Sequence, residues 1–320
     1  MDLYPMRLRP AFKDNLWGGE RLKKDYHKQT DMVPLAESWE LSCHKDGSSV
    51  IEEGAYAGMP LADYVERFPE AVGERARAFP AFPILFKLID AKDNLSVQVH
   101  PDDAYAQRVE GEYGKTEMWV VLDCAPGSKL VYGFKRPVSR EQFRASIEES
   151  ALMDLVNEVE VHRGDVFFIR SGTLHAIGKG IVIAEIQQNS NTTYRVYDYD
   201  RRGADGKPRA LHIEKALDVT NLEPYRPEDA AGPARREEGA VVETLADCRY
   251  FHTERIALSG EAKRAVGNGS FEGLFCAEGE TSLRAGTAEL LLRKGDTAFL
   301  PAGLGAYTLS GEALCLSMRV

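Results

Sequence analysis

The twelve residues Gly164-Asp165-Val166-Phe167-Phe168-Ile169-Arg170-Ser171-Gly172-Thr173-Leu174-His175 decide the fold. A Gly-Asp turn feeds a run of β-prone residues, and a second glycine reverses the chain just before a histidine. The pattern returns without gaps in Gly295-Asp296-Thr297-Ala298-Phe299-Leu300-Pro301-Ala302-Gly303-Leu304-Gly305-Ala306. A repeated turn–strand–turn unit points to two related β structures in one chain. The first copy ends in His175 and the second in Ala306, so only the first offers a ligating side chain there.

Outward from these copies, short β-like runs dominate, at 38–43, 81–88, 95–100, 118–122, 166–170, 181–187 and 193–199. They are rich in β-branched and aromatic residues, too short for helices and punctuated by Gly, Pro and Asp, as in sandwiches and barrels. Two stretches, about 60–80 and 139–157, carry apolar residues at helical spacing and predict a small helical annex. Ser139 and Gln142 open the second with a capping-box pair. Residues 223–239 hold three prolines and no apolar period, which predicts a linker between a first domain at 1–222 and a second at 240–320.

The spacing G-D-x-x-φ-φ-x-x-G-x-x-H (φ apolar) resembles the second motif of cupins, whose terminal histidine ligates a metal. The expected fold is therefore mainly β, with two cupin-type jelly-roll barrels and a metal only in the first.

In Leu95-Ser96-Val97-Gln98-Val99-His100-Pro101, strand alternation projects Gln98 and His100 from one face. Lys115-Thr116-Glu117-Met118-Trp119 adds a carboxylate, and His175 a second imidazole. Two imidazoles, a carboxylate and an amide oxygen form a donor set that suits zinc with open positions for substrate.

Together QVHPDD (98–103), GKTEMW (114–119), SGTLHAIG (171–178) and EIQQNSNTTYRVYD (185–198) resemble type I mannose-6-phosphate isomerases, most closely the short bacterial form. WGG (17–19), AESWE (36–40) and LHIEKA (211–216) fit the same family. The resemblance runs from about residue 8 to 220 and weakly into 295–309, where the family has a second, metal-free barrel. It implies one zinc ion per chain held by Gln98, His100, Glu117 and His175. It also implies an active-site arginine at Arg195 and active-site lysines at Lys87 and Lys115, with Trp17 and Glu40 among the substrate-binding residues. Thr116 stands where many longer members have proline, and Val99 where they have alanine; neither change touches a ligand.

The implied reaction interconverts mannose 6-phosphate and fructose 6-phosphate through a cis-enediol. Arg195 suits either the developing enediolate or the phosphate. The general base is open between Glu185 and Lys115. Two other readings keep the fold: a metal-dependent cupin oxygenase, and a non-catalytic sugar-binding double cupin with structural zinc. Gln98 in the ligand set, with Lys115, Glu185 and Arg195 beside it, favours the isomerase.

Bulk properties agree with a small-molecule enzyme. The net charge of −10 and the lack of any long Lys/Arg block argue against nucleic-acid binding. No apolar run is long enough to span a bilayer, and the N-terminus carries no signal-like apolar core. Five scattered cysteines without C-x-x-C read as thiols of a reducing compartment, giving an expected cytoplasmic monomer or weak homodimer.

Overall fold

The computed structural model describes residues 3–202, 206–226 and 232–320. Three sheets set the architecture. A six-stranded sheet has Glu117–Cys124, Ile181–Gln188, Ile84–Ala91 and Glu37–Leu41 at its centre. A five-stranded sheet contains Lys129–Phe134, His175–Ala176, Val97–Val99 and Tyr194–Tyr197. A nine-stranded sheet collects the C-terminal strands.

The six-stranded sheet is the middle layer, and its alternation explains why. Ile89, Trp119, Val121, Ile181 and Ile183 face inward and pack with Leu130, Tyr132 and Ile177 of the five-stranded side. The intervening residues Phe86, Leu88, Met118, Val120, Val182 and Ile186 pack instead against Phe275, Phe299, Leu316 and Met318 of the nine-stranded sheet. Burying each such large side chain contributes about 1.5–3 kcal/mol. Polar residues on the inward face are therefore exceptions that need partners, and they cluster at one end.

The helical stretches lie in two separate places rather than in one annex. Arg140–Glu148 carries the expected capping box and, with Ile213–Val219, covers the outer face of the five-stranded sheet through Phe143, Ile147 and Leu217. The segment at 60–80 divides into Leu61–Arg67, a 3-10 turn at Pro69–Val72 and the short helix Gly73–Ala76. Pro69 cannot donate to the preceding turn, and Gly73 has φ 84°. Tyr64 packs on Phe299 of the C-terminal sheet.

That sheet is not made from the C-terminal residues alone. Met6–Arg9 pairs with Thr297–Leu300 on one side and with Val50–Ile51 on the other. Part of the expected linker, residues 227–231 including Pro227, lies outside the described residues. Within the rest of 223–239, Arg235–Glu237 forms a strand on Ala240–Asp247, and Tyr225 stacks near Tyr132.

The two sequence copies share backbone geometry. Gly164 and Gly295 have φ of 93° and 95°, and Gly172 and Gly303 have 84° and 80°. Val166–Ile169 and Thr297–Leu300 are the strands between them. At Gly295 an added Cβ would also lie 2.3 Å from the Tyr26 carbonyl oxygen, so glycine is required twice over.

Candidate metal and active site

Inward-facing polar residues from both sheets of the first barrel meet at one pocket of about 540 Å³. Strand pairing fixes who meets whom. His175 lies opposite Gln98, and Arg195 lies opposite Gln98 on its other side. Across the barrel, Glu185 lies opposite Lys87 on one neighbour and Trp119 on the other, and Gln187 lies opposite Glu117.

His100, Glu117 and His175 form a buried group whose potential ligand atoms all lie within 4.8 Å of one another and which could hold a metal ion. Glu117 Oε1 is 3.3 Å from His175 Nε2, and Glu117 Oε2 is 3.6 Å from His100 Nε2. Each imidazole is oriented by a carbonyl: His100 Nδ1 lies 2.9 Å from Thr192 O, and His175 Nδ1 lies 2.9 Å from Thr173 O. With Nδ1–H donating there, each Nε2 presents its lone pair to the cluster. Burial lowers the pKa of both rings, His175 to about 4, so both are neutral at pH 7. His100 Nε2 and Glu117 Oε1 are buried without a hydrogen bond, an arrangement that a bound cation relieves, while Glu117 Oε2 is 2.9 Å from the Lys115 ammonium. The Gln98 amide reaches the same cluster, 3.4 Å from His175 Nε2. Rotating that amide by half a turn presents its oxygen there.

Beside this cluster stands a buried charge network. Lys115 Nζ is 2.9 Å from Glu117 and 3.5 Å from Glu185, and Lys87 Nζ is 3.1 Å from Glu185. Trp119 Nε1 donates to Glu185 Oε2 at 2.8 Å. Burial works to raise the Glu185 pKa, but the Lys115 and Lys87 charges overcome it and hold the carboxyl below its ordinary value. Glu117 goes the other way, raised by burial and by the Glu185 charge, with Lys115 opposing.

Of the expected substrate-binding residues, Lys87, Arg195 and Trp17 line the pocket. Glu40 does not. It projects from the opposite face of its strand, where Lys28 Nζ (2.6 Å), Ser38 Oγ (2.6 Å) and Thr297 Oγ1 (2.9 Å) surround its carboxylate. Its neighbours Glu37 and Trp39 take the pocket-facing positions. Glu37 accepts from Trp39 Nε1 (2.7 Å) and Asn15 (3.0 Å) and lies 3.4 Å from Lys87. Within AESWE the pocket-facing carboxylate is thus Glu37 rather than the expected Glu40, because alternation gives the two acids opposite faces.

Two further groups lie outside the expected site residues, although Asp103 closes the QVHPDD motif. Arg209 lines the pocket from the segment that follows Tyr194–Tyr197, held to Asp198. Asp103 supports the Lys115–Glu117 segment, accepting from Gly114 N (3.0 Å) and from Gln188 Nε2 (2.8 Å), while Gln188 Oε1 accepts from Thr116 N (2.9 Å).

The second barrel shows what became of the site there. Ala306 faces solvent, and the next residue, Tyr307, turns inward. One extra residue after Gly303 moves the register and exchanges the faces. Tyr307 lies opposite Arg264 as His175 lies opposite Gln98, and Leu300 lies opposite Glu272 as Ile169 lies opposite Glu117. Glu272 accepts from Tyr307 (3.0 Å) and Ser317 (2.5 Å), and Arg264 donates to Tyr307 and Glu254. This counterpart satisfies itself with a guanidinium, and none of these carboxylate oxygens is left without a hydrogen bond.

Comparisons with known proteins place the chain among relatives of one family. Residues 6–119 match the family described as phosphomannose isomerase type I, catalytic domain, and residues 242–319 match the mannose-6-phosphate isomerase cupin domain. The chain is 38% identical to mannose-6-phosphate isomerase ManA of Bacillus subtilis over 99% of both chains. It is 36% identical to a mannose-6-phosphate isomerase of Streptococcus mutans over 96% of both. A crystal structure of the mannose 6-phosphate isomerase from Bacillus subtilis superposes with a TM-score of 0.91 at 33% identity, covering 99% of each chain.

Proposed function

The chain belongs to the type I phosphomannose isomerase family and is an enzyme of that family, and on this premise we propose that it interconverts mannose 6-phosphate and fructose 6-phosphate with zinc as its metal. The observation that carries the reading is the buried His100–Glu117–His175 group beside the Lys115–Glu185–Lys87 network, in one pocket of sugar-phosphate size. Gln98, His100, Glu117 and His175 are the residues that would hold the ion. Two neutral imidazoles, a carboxylate and an amide fit zinc better than a thiolate-seeking metal. Bound there, zinc supplies Lewis-acid stabilisation of negative charge developing on the sugar oxygens.

The chain's own groups then do the rest. Moving hydrogen between C1 and C2 requires removing a proton from carbon and returning it to the neighbour, with a cis-enediol between. Glu185 stays ionised under the two lysine charges and is the candidate base. Trp119 fixes its orientation by occupying Oε2, leaving Oε1 toward the lysines and the pocket. Lys115, poised between Glu117 and Glu185, is placed to hand a proton to a sugar oxygen as charge builds. Arg195 extends the cationic wall one strand beyond Gln98. The five unpaired cysteines support a reducing, cytoplasmic setting.

The test is a coupled assay of the zinc-loaded protein on mannose 6-phosphate, run in deuterated water. Turnover with deuterium entering the product at C1 or C2 supports the enediol route. Absence of any conversion overturns the function, and conversion without solvent label in either direction overturns the proton-transfer step.

A further inference from the structure

One polar side chain inside the first barrel belongs neither to the His100–Glu117–His175 group nor to the lysine–carboxylate network. Gln187 is fully buried on the inward face of Ile181–Gln188, two residues after Glu185 and opposite Glu117. Its amide nitrogen donates to two backbone carbonyls, Gln188 O at 2.8 Å and Ser190 O at 2.6 Å. Only the NH2 end of an amide can face two carbonyl oxygens, so its orientation is fixed. Its Oε1 is buried with no hydrogen-bond partner among the described residues, a cost that the two donated bonds offset.

Those carbonyls lie where the chain crosses from the six-stranded to the five-stranded sheet, through residues 189–193. No residue of the crossing belongs to a strand or helix, so side-chain hydrogen bonds rather than a ladder shape its backbone. The Ser190 hydroxyl donates to Tyr113 O at 3.0 Å and accepts from Thr192 N at 3.2 Å. Thr192 O in turn lies 2.9 Å from His100 Nδ1. The two imidazoles differ here. His175 finds its orienting carbonyl two residues back, at Thr173, whereas His100 depends on one 92 residues away. The direction of the His100 ring therefore follows the shape of the crossing.

Resting on the zinc reading, we propose that Gln187 is a positioning residue: by tying the carbonyls of Gln188 and Ser190 it holds Thr192 O against His100 and so aims His100 Nε2 at the cluster. The links are shielded from water, with Gln187, Ser190 and His100 each no more than 1% exposed. An apolar side chain of the same length could not tie the two carbonyls, and an ionised carboxylate would repel them. Groups that orient a metal-ligating imidazole through its other ring nitrogen matter by about 10- to 100-fold in metal affinity. Gln187 acts one link further out, on the segment that supplies the orienting carbonyl.

The experiment uses the full-length protein stripped of metal. Zinc alone is the probe, in competition with a chromophoric chelator, and cobalt(II) absorption reports ligand geometry. Gln187→Met keeps the length of the side chain and deletes both donors. It is expected to weaken zinc binding about tenfold, the lower end of that range, and to shift the cobalt bands. Ser190→Ala cuts the same chain of contacts at the hydroxyl. It is expected to move both readouts in the same direction, and it serves if the methionine variant does not fold. A merely structural role would lower the melting temperature of the metal-free protein and leave zinc affinity and cobalt bands as in wild type. That outcome in both variants overturns the inference. Wild-type protein that takes up no zinc would overturn the zinc reading and the inference with it. Gln187-dependent zinc binding without isomerisation would instead count against the reaction alone.

Discussion

The Tyr250 hydroxyl, on the C-terminal side of the molecule, donates to Asp103 Oδ2 at 2.9 Å, and the other oxygen of Asp103 anchors the segment that carries Lys115 and Glu117. The second barrel therefore reaches the active site through two side chains, Asp103 and Gln188, although its own counterpart of the site is closed. A second barrel that lacks the His100–Glu117–His175 arrangement thereby acquires a physical role: it helps fix the angle at which Glu117 and Lys115 enter the pocket.

Tyr250→Phe removes that hydroxyl alone. The loss of one hydrogen bond to a charged acceptor is worth about 1.5–3 kcal/mol at most. We expect a modest fall in melting temperature, retained metal, and a several-fold drop in kcat with KM little changed. A variant with wild-type kcat would show that Asp103 holds the segment without help from Tyr250.

Removing metal is expected to abolish turnover reversibly. Chelator dialysis should inactivate the protein and zinc should restore it, with metal content tracking activity. His175→Ala is expected to lower bound metal well below one per chain, because the remaining cluster loses a neutral imidazole already oriented by Thr173. Full metal occupancy in this variant, measured by elemental analysis, would place the ion elsewhere.

Trp119→Phe preserves the ring's packing and deletes the N–H that fixes Glu185. Glu185 then turns freely between Lys87 and Lys115. The expected result is a loss of kcat on the order of tenfold or more, as for general-base catalysis out of position, with normal metal content. If kcat holds while KM rises, Trp119 acts on binding rather than on the base.

Acid sensitivity should trace to the second barrel. Burial works against ionisation of Glu254, but hydrogen bonds from His252, Arg235 and Arg264 hold its carboxyl far below the usual range. Its folded pKa lies below the unfolded value of about 4.3, so the unfolded chain binds the extra proton in acid. The stabilisation is complete above that value and drains away as the pH falls below it. Glu254→Gln should be less stable at pH 7, since three arginines lose their shared carboxylate, and its melting temperature should decline less steeply from pH 5 to 3. Parallel wild-type and variant profiles would assign the acid loss to other carboxylates.

Local rules in the chain bring part of the candidate ligand set together, while Glu117 enters it only with the family resemblance. Alternation alone puts Gln98 and His100 on one face, and the glycine-framed repeat announces two barrels and marks His175 against its altered copy. The faces of 36–40 were a different matter. Hydropathy tells inside from outside only when one face meets water, and the six-stranded sheet is covered on both. Glu37 and Glu40 are equally polar in sequence; only packing against the second barrel gives one to the pocket and the other to Lys28 and Thr297. The pairing of Asp103 with Tyr250 joins segments 147 residues apart in the chain, which no local period records. Residue chemistry and spacing, with the family resemblance, pointed to the fold class and to the candidate metal donors. The tertiary structure decided which charges are paired, which face each acid takes, and that Tyr307 rather than Ala306 stands where His175 does, because a single added residue exchanges the faces of a strand.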